Sequence, residues 1–481
     1  MKSYNTIEEI FRYYQKANKV VTLPDTVEPG DLFIAYQNNR PLNRAARVIW
    51  DFIESYAPGL LNVIILAVVR FRISIKVREN RVEGNRFAAL ALSRGAQIAI
   101  VDNPSYCKDP RTRLVRNTRE TLSELAKLHR QTLLIPFLAV TGSNGKTTTK
   151  ELIKTVLSTH LETIATSGSG NSVPAISRTI LSIKKNIDVA VFEMGIMAKG
   201  ELSELCHVAQ PTYGLITSIG LTHLEHLIDI DGVAEAKGEL FKYLRAYNGH
   251  IFVNLNDERV VALARNNENV TTYGDRETAS VRGEVISSDP FLKIRLYLPK
   301  SEDQQSLDRF EFQTKLAGEH NLNNVLASIA VGLHFKVPLK KILSAIEGFK
   351  PMENRFQIIE SGSNKIILDA YNANPSSVIA ALRSLQRMNA RRKVTIIGDM
   401  LDLGRQSKNA HKAVLHEIKS YKDVYPIFVG KEFLRVRESN VGMYLSTTDE
   451  AKKWYQSQNF EDTYILLKGS RWMKMEKIIE A

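Results

Sequence analysis

The chain has 481 residues, of which 44% are hydrophobic and 24% charged, with two cysteines and a net charge of +13. This composition indicates a globular protein of about three domains and excludes a disordered chain, a collagen or a coiled coil. Two cysteines cannot build a disulfide framework, and the polar N-terminus lacks the apolar core of a signal peptide, so we expect a cytoplasmic protein. The positive charge favours phosphate-bearing ligands, and the absence of any zinc-finger, aromatic RNA-binding or basic heptad pattern argues against nucleic acid as a partner.

Residues 1–130 are predicted to form a small N-terminal α/β domain. An amphipathic helix begins near Ile7, a turn and strand follow at 28–35, and a helix at 85–95, stopped by Gly95, precedes the strand 97–102. The segment from about 37 to 81 differs, because it combines a short apolar run with several basic residues. We favour an inserted helix and strand here, since the run has no clear polar face; the alternative is a basic amphipathic patch that touches a membrane surface.

Two further α/β domains are predicted, a central one at 131–348 and a C-terminal, Rossmann-like one at 349–481. Strands alternate with helical stretches in both, which indicates mainly parallel sheets flanked by helices. The predicted strands of the central domain are 133–140, 189–192, 213–217 and 251–254. Those of the C-terminal domain are 365–368, 393–397, 425–429 and 463–467.

The strongest motif, TGSNGKTTT at 141–149, lies between an apolar strand and a helix. Gly142 and Gly145 allow a tight turn whose backbone N–H groups, together with the start of the helix, face an anion. Lys146 can neutralise the β- and γ-phosphates of a nucleotide, and the Thr147 hydroxyl can bind Mg²⁺. The motif therefore predicts a nucleotide-binding turn of the P-loop type.

Glu193 and His223 are candidate metal ligands. Glu193 ends the strand that follows the nucleotide-binding turn, and His223 follows the next strand along the chain. An acid at a strand end is usually a solvated surface group, and a lone histidine is usually a packed polar residue. Their position next to a phosphate-binding turn favours metal binding instead.

Several motifs, in this order along the chain, resemble those of the Mur ligase family, more specifically its MurF type. These segments are TGSNGKTTT (141–149), EMG (193–195), THLEH (222–226), AKGE (236–239), DAYNANP (369–375), GDMLDLG (398–404) with His411, and LKGSRWMK (467–474). The resemblance implies a three-domain, ATP-dependent amide-bond ligase of peptidoglycan precursor synthesis. It further implies that D-alanyl-D-alanine is added to UDP-N-acetylmuramoyl-tripeptide through an acyl phosphate, with ATP and two Mg²⁺ ions.

The resemblance also implies roles for single residues. The nucleotide would be held by Gly142, Asn144, Gly145, Lys146, Thr147, Thr148, Asn321, Asn324, Arg355, Asp369 and Asn372. The metal ligands would be Thr147, Glu193, His223 and Lys237, and the catalytic residues would be Lys146, His223 and Lys237. Lys237 matches the family lysine that CO₂ carbamylates, which turns a cation into an anionic ligand; from position alone, a surface lysine on a helix remains the alternative.

Two segments depart from the family pattern, and both belong to its substrate-holding parts. Residues 24–30 lack the arginine that precedes the Pro-Gly-Asp turn, and residues 167–172 replace an Asn-rich segment near the carboxylate substrate. The alternatives are therefore a divergent Mur-like ligase that joins a different carboxylate and amine, or a nucleotide-binding protein without catalysis.

Overall fold

The computed structural model of the protein describes residues 4–35, 84–299, 307–351 and 354–480. The predicted insertion at about 37–81, with its alternative as a membrane-contacting patch, lies outside these residues. The chain divides into two compact units: the N-terminal unit, Met1–Leu133 with Val173–Ile183, and the main unit, Leu134–Ser172 with Lys184–Ala481. None of the described helices is long and apolar enough to cross a membrane. The predicted domain boundaries near residues 130 and 348 stay predictions.

The described residues form helices and strands in the alternating order expected of an α/β protein. The helices are α1 (Ile7–Tyr14), α2 (Ala88–Ser93), α3 (Thr118–Gln131), α4 (Lys146–Leu157), α5 (Val173–Leu181), α6 (Glu201–Ala209), α7 (Leu224–Leu227), α8 (Ile230–Ala246), α9 (Glu258–Leu263), α10 (Leu322–His334), α11 (Leu339–Gly348), α12 (Pro375–Arg387), α13 (Ser407–Lys419), α14 (Lys431–Arg435) and α15 (Thr448–Gln456). The strands are β1 (Val20–Val21), β2 (Leu32–Ile34), β3 (Ile98–Val101), β4 (Thr112–Leu114), β5 (Phe137–Thr141), β6 (Thr163–Ala165), β7 (Val189–Glu193), β8 (Tyr213–Ile216), β9 (His250–Asn254), β10 (Val270–Gly274), β11 (Val281–Ser287), β12 (Lys293–Pro299), β13 (Leu307–Gln313), β14 (Gln357–Ser361), β15 (Asn364–Asp369), β16 (Arg392–Gly398), β17 (Val424–Val429), β18 (Met443–Leu445) and β19 (Thr463–Lys468).

The N-terminal unit contains a parallel sheet in the order β1-β2-β3-β4. Its core consists of small and apolar residues of β2, β3 and α2, including the fully buried Phe33 and Ala99. The helix predicted at 85–95 is a 3₁₀ turn, Gly84–Phe87, that continues into α2 and ends at Ser93. The helix ends just before Gly95, whose φ angle of 98° is a conformation that favours glycine.

The main unit contains a nine-stranded sheet in the order β13-β12-β11-β10-β9-β8-β5-β7-β6. All five residues of β5 are buried, which explains its apolar sequence, and the chain lies on one side of β5 up to β7 and on the other side from β8 onward. In such sheets ligands bind at the carboxyl ends of the strands where the order reverses. β5 begins at Phe137 rather than at the predicted residue 133, because Leu134 is exposed and Pro136 has no N–H to donate.

A second sheet in the main unit has the order β14-β15-β19-β16-β17-β18 and is parallel except for β14. All four strands predicted at 365–368, 393–397, 425–429 and 463–467 are present within β15, β16, β17 and β19. Helix α12 begins after Asn374, whose side chain accepts the Ser377 N–H and so caps the helix, and Pro375 occupies the first helical position. The α/β class with parallel-rich sheets is therefore confirmed.

Candidate functional site

The Gly-rich turn, residues 142–145, connects the central strand β5 to helix α4. Gly142 and Gly145 have positive φ angles of 143° and 80°. A Cβ atom on Gly142 would lie 1.9 Å from Thr217 Oγ1, and one on Gly145 would lie 2.5 Å from Asn324 Oδ1. Both positions therefore require glycine. The first N–H groups of α4 have no acceptor within the helix and lie at its positive end, which favours an anion there.

The segment that follows β8 holds this turn in place. The Ser143 N–H donates to the Ser218 carbonyl oxygen at 2.8 Å, and Thr217 Oγ1 donates to the Asn144 carbonyl oxygen at 2.6 Å. Ser143 Oγ in turn donates to the Gly220 carbonyl oxygen at 3.0 Å. Two neighbouring strand ends thus fix the backbone of the turn, so a ligand would meet a preformed cradle.

Lys146 is half-buried and lies over the Gly-rich turn. Its Nζ donates to the Gly142 carbonyl oxygen at 2.7 Å. Burial lowers the pKa of Lys146, the charge of Glu193 acts in the opposite direction, and the charge of Arg355 lowers the pKa further. Because a charged phosphate oxygen is a stronger acceptor than a neutral carbonyl, Lys146 can exchange this contact for an anionic ligand.

Glu193 and Thr147 lie buried beside the turn. Glu193 ends β7, next to β5, and is 1% exposed, while Thr147 on the first turn of α4 is 2% exposed. Glu193 Oε1 accepts from Asn171 Nδ2 at 3.2 Å, whereas Oε2 is buried with no hydrogen-bond partner in the described part of the chain. A buried carboxylate oxygen without a donor is costly, which suits a site that receives a cation.

Burial lowers the pKa of both Lys237 and His223. Lys237 projects from α8 and is 1% exposed; burial moves its pKa well below the usual value, the charge of Lys146 adds to this, and no described acidic group offsets it. His223 has a left-handed φ angle of 53°, and burial, together with the charges of Lys146 and Lys237, lowers its pKa to about 4. His223 is therefore neutral at pH 7, and the charge of Lys146 acts on both side chains.

The side chains around Glu193 can supply some, but not all, of the ligands of a magnesium ion. Among the described residues, no three histidine, cysteine or acidic side chains are arranged to hold a metal ion by themselves. Thr147 and Glu193 supply the oxygen ligands that magnesium prefers, and the partnerless Glu193 oxygen is available to one. Magnesium commonly completes its coordination with water and substrate phosphate groups, so the residues present fit such an ion.

A chain of amide hydrogen bonds connects α4 to the start of α10. Thr149 Oγ1 donates to Asn324 Oδ1 at 3.0 Å, and Asn324 Nδ2 donates to Asn321 Oδ1 at 2.8 Å. Asn321 Nδ2 ends the chain on the Ala317 carbonyl oxygen at 2.8 Å. Asn321 and Asn324 thus lie behind the Gly-rich turn and support Gly145; their predicted contact with a nucleotide stays a prediction.

The segment before α12 contacts the Gly-rich turn directly. Asn374 Nδ2 donates to Asn144 Oδ1 at 2.8 Å, and Asn144 Nδ2 donates to Ser376 Oγ at 3.0 Å. Asn144 of the turn is therefore held at both ends of its amide by residues more than two hundred positions later in the chain. This contact was not anticipated, although both segments were singled out.

Tyr371 forms a second connection between these parts of the main unit. Its hydroxyl donates to Ser169 Oγ at 2.5 Å, and the guanidinium carbons of Arg355 and Arg471 lie 3.7 Å and 5.3 Å from its ring centroid. The Arg355 Nε atom is buried and has no partner within the described residues. Arg355 thus lies near Lys146 with an unused donor, as an anion-binding residue would.

Other predicted residues have partners of their own. Asp369 accepts from Lys468 Nζ at 2.5 Å, and the same ammonium donates to the Asn372 carbonyl oxygen at 3.0 Å, so Lys468 neutralises Asp369 and fixes the loop after β15. Thr148 is half-buried on the first turn of α4. His411 is structural, because Nε2 accepts the Met400 N–H at 3.1 Å and Nδ1 donates to the Ser407 carbonyl oxygen at 2.7 Å.

Two stretches of the chain match domains of a known family. Residues 140–332 match the Mur ligase middle domain, and residues 354–471 match the glutamate ligase domain of Mur ligases. The chain is 29% identical over 420 residues to UDP-N-acetylmuramoyl-tripeptide–D-alanyl-D-alanine ligase of Bacillus subtilis, covering 84% of this chain and 89% of that protein. The Escherichia coli protein of the same name is 28% identical over 418 residues, covering 85% and 90%.

Solved structures share this fold over almost the whole chain. MurF from Acinetobacter baumannii has a TM-score of 0.78 at 24% identity and covers 100% of this chain and 98% of its own. MurF from Thermotoga maritima, solved in complex with ADP, has a TM-score of 0.75 at 21% identity, with 97% of each chain covered. At these identities the likeness concerns the fold.

Proposed function

Because the chain belongs to the Mur ligase family, we propose that it is an ATP-dependent, ADP-forming ligase that adds D-alanyl-D-alanine to UDP-N-acetylmuramoyl-tripeptide in peptidoglycan precursor synthesis. Support comes from relatives of that name that align with more than four fifths of the chain. The structural observation that carries the proposal is the partnerless, buried Glu193 oxygen beside a rigid Gly-rich turn and Lys146.

In this proposal the Gly-rich turn holds the triphosphate of ATP. Gly142, Asn144, Gly145 and Thr148 place backbone and side-chain donors around the phosphates, and Lys146 neutralises them. Arg355 reaches the same anion with its unused donor. Asn321, Asn324, Asp369 and Asn372 complete the nucleotide site.

Two magnesium ions are proposed beside the triphosphate. Thr147 and Glu193 would hold one, and His223 and Lys237 the other. The ions would supply charge neutralisation between an anionic triphosphate and an anionic carboxylate substrate. We propose that Lys237 contributes as a carbamate: its buried amine, in the neutral form that the lowered pKa favours, adds to CO₂, forms a C–N bond and releases a proton, which gives an anionic oxygen ligand.

The reaction proceeds in two steps that the protein promotes by positioning. A carboxylate oxygen of the tripeptide attacks the γ-phosphorus of ATP, the bond to the β-phosphate oxygen breaks, and an acyl phosphate and ADP form. The amine of the dipeptide then attacks the acyl carbon, inorganic phosphate leaves, and the amide forms as the amine loses a proton. Lys146 and Arg355 hold the transferred phosphate in line, and the rigid turn keeps the reacting atoms in register.

A divergent ligase with another carboxylate and amine is the second candidate. It is favoured by residues 167–172, which replace the family's Asn-rich substrate segment. Here Ser169 is engaged by Tyr371 and Asn171 by Glu193, so these two polar side chains are already occupied. Such a segment offers fewer donors to the usual tripeptide.

The test is an ADP-release assay with UDP-N-acetylmuramoyl-tripeptide and D-alanyl-D-alanine, each omitted in turn. We expect ADP release only when both are present, together with a new amide product detected by mass spectrometry. ADP release that depends on other acids and amines, but not on these, would favour the second candidate. Binding of adenine nucleotide without any acid-dependent turnover would contradict both.

A further inference from the structure

Lys150 is a fully buried lysine that neither the proposed function nor the motifs account for. It lies on α4 one helical turn after Lys146, and its relative exposure is 0%. Its ammonium donates to Thr166 O at 2.7 Å, to Gly168 O at 2.7 Å and to Glu151 Oε1 at 2.5 Å. All three donors of the ammonium are therefore used.

Two of these three contacts hold one piece of chain, the 166–172 segment. From that segment Thr166 Oγ1 accepts the Glu193 N–H at 3.0 Å, and Asn171 Nδ2 donates to Glu193 Oε1 at 3.2 Å. The Asn171 carbonyl oxygen also accepts the Gly195 N–H at 3.1 Å. The segment thus grips both the backbone and the carboxylate of Glu193.

Burying the Lys150 ammonium has a cost that an apolar side chain at the same position would not have. The other buried positions farther along α4, such as Leu152, Ile153 and Val156, pack with apolar side chains. Burying a charge carries a desolvation penalty, and an apolar residue of similar volume is often neutral or stabilising by comparison. What the ammonium provides, and an apolar side chain cannot, is a fixed position for the two carbonyl groups of the 166–172 segment.

We propose that Lys150 is a positioning residue for the divalent cation at Glu193, an inference that rests on the proposed function. Lys150 ties the helix that carries Lys146 and Thr147 to the segment that carries Asn171. Asn171 then occupies one Glu193 oxygen and leaves the other, Oε2, turned to the cation in one orientation. Partners of this kind orient metal ligands, and their loss typically weakens metal affinity about 10- to 100-fold.

The test uses the full-length protein with Mn²⁺ as the probe, because Mn²⁺ shares the oxygen ligands of Mg²⁺ and is counted directly by electron paramagnetic resonance. Binding is measured in the presence of saturating ADP. We expect Lys150→Met to weaken Mn²⁺ binding about tenfold while ADP affinity without metal changes less than twofold. Glu151→Gln is the matched control: it keeps both carbonyl contacts of Lys150, and we expect Mn²⁺ binding within twofold of the unmodified protein.

Asn171→Ala removes the hydrogen bond from Asn171 to Glu193 without changing the contacts of the Lys150 ammonium. This variant therefore tests the inference if circular dichroism shows that Lys150→Met does not fold. We expect a similar tenfold loss of Mn²⁺ affinity. Wild-type Mn²⁺ affinity in either folded variant, or no Mn²⁺ binding by the unmodified protein, would overturn the inference. If the variants lose Mn²⁺ affinity but the unmodified protein shows no ligation activity, the positioning role of Lys150 would be supported and the proposed function contradicted.

Discussion

The carboxyl edge of the nine-stranded sheet, where its parallel strands end, and the amino edge, where they begin, each contain a half-buried histidine. The hydrogen-bonding groups around these two histidines differ. At the carboxyl edge, burial lowers the pKa of His223 to about 4, and the neighbouring Glu193 has an oxygen without a partner. At the amino edge, burial lowers the pKa of His250 to about 4 as well, but His250 Nε2 lies 2.9 Å from Thr271 Oγ1. The ring centroids of His250 and His334 lie 4.3 Å apart.

A shifted pKa therefore does not by itself identify a functional site. Burial is the largest cause of the lowered pKa at both edges, and at the amino edge it accompanies ring packing among Tyr213, His250 and His334. The carboxyl edge differs because Glu193 Oε2 is buried there without a hydrogen-bond donor among the described residues. Variants at the two edges should therefore behave differently.

The largest effect is expected for Lys146→Met. Removing the ammonium from the Gly-rich turn takes away the cation that faces the triphosphate, so we expect the rate of ADP release to fall by at least about 10²–10³-fold. The melting temperature should change little, because among the described residues the ammonium donates only to neutral carbonyl oxygens of the turn, those of Gly142 at 2.7 Å and Ser143 at 3.4 Å. Undiminished turnover would contradict the assignment of this edge as the reactive one.

An intermediate effect is expected for Ser376→Ala, which removes a partner of Asn144 and leaves the Asn374 cap of α12 in place. We expect kcat to fall about three- to tenfold, since the segment before α12 then holds Asn144 through Asn374 alone. Ser377→Ala is the control, because it weakens the reciprocal cap without touching Asn144. Steady-state kinetics at 25 °C distinguish the two, and equal losses would show that the Asn144 contact has no separate role.

The smallest effect on activity is expected for His250→Phe, at the amino edge, where turnover should stay within twofold. Stability should change in a pH-dependent way. Because the folded-state pKa lies below the usual 6.5, the unfolded chain takes up a proton that the folded chain does not, and stability is lost as pH falls from about 6.5 towards 4. The free energy of unfolding, measured by urea denaturation at pH 7 and pH 5, should fall less for the variant than for the unmodified protein. The difference should be less than about 1.4 kcal/mol per pH unit, because the ring is half-exposed.

Much of the fold followed from local patterns. The β5–turn–α4 unit, the acid at the end of β7 and the four parallel strands of the second sheet were all predicted from apolar runs and glycine positions. The antiparallel strands β11, β12 and β13 were missed, because their alternating residues were not distinguished from the connections between parallel strands. β5 begins later than predicted, since an apolar run does not reveal which of its residues, such as Leu134, remains exposed.

The site was predictable only where it is local in sequence. Contacts such as Asn144 with Asn374, or Ser169 with Tyr371, join residues about two hundred positions apart, and nothing in either segment identifies the other. Lys150 was missed because a lysine on an amphipathic helix usually faces solvent; its spacing of four from Lys146 was the available signal. The nucleotide-binding roles of Arg355, Asp369 and Asn372 remain predictions, as do the metal-binding roles of Thr147, Glu193, His223 and Lys237.

The close approach of Gly142 to Thr217 restricts how this protein can diverge. Any side chain at position 142 would overlap the Thr217 hydroxyl, so it could be accepted only after Thr217 had been replaced. Replacing Thr217 first would free the Asn144 carbonyl oxygen that it holds. Neither substitution is neutral as a first step, so we expect Gly142 and Thr217 to change rarely by single substitutions. Substitutions should accumulate instead at positions whose neighbouring side chains can move.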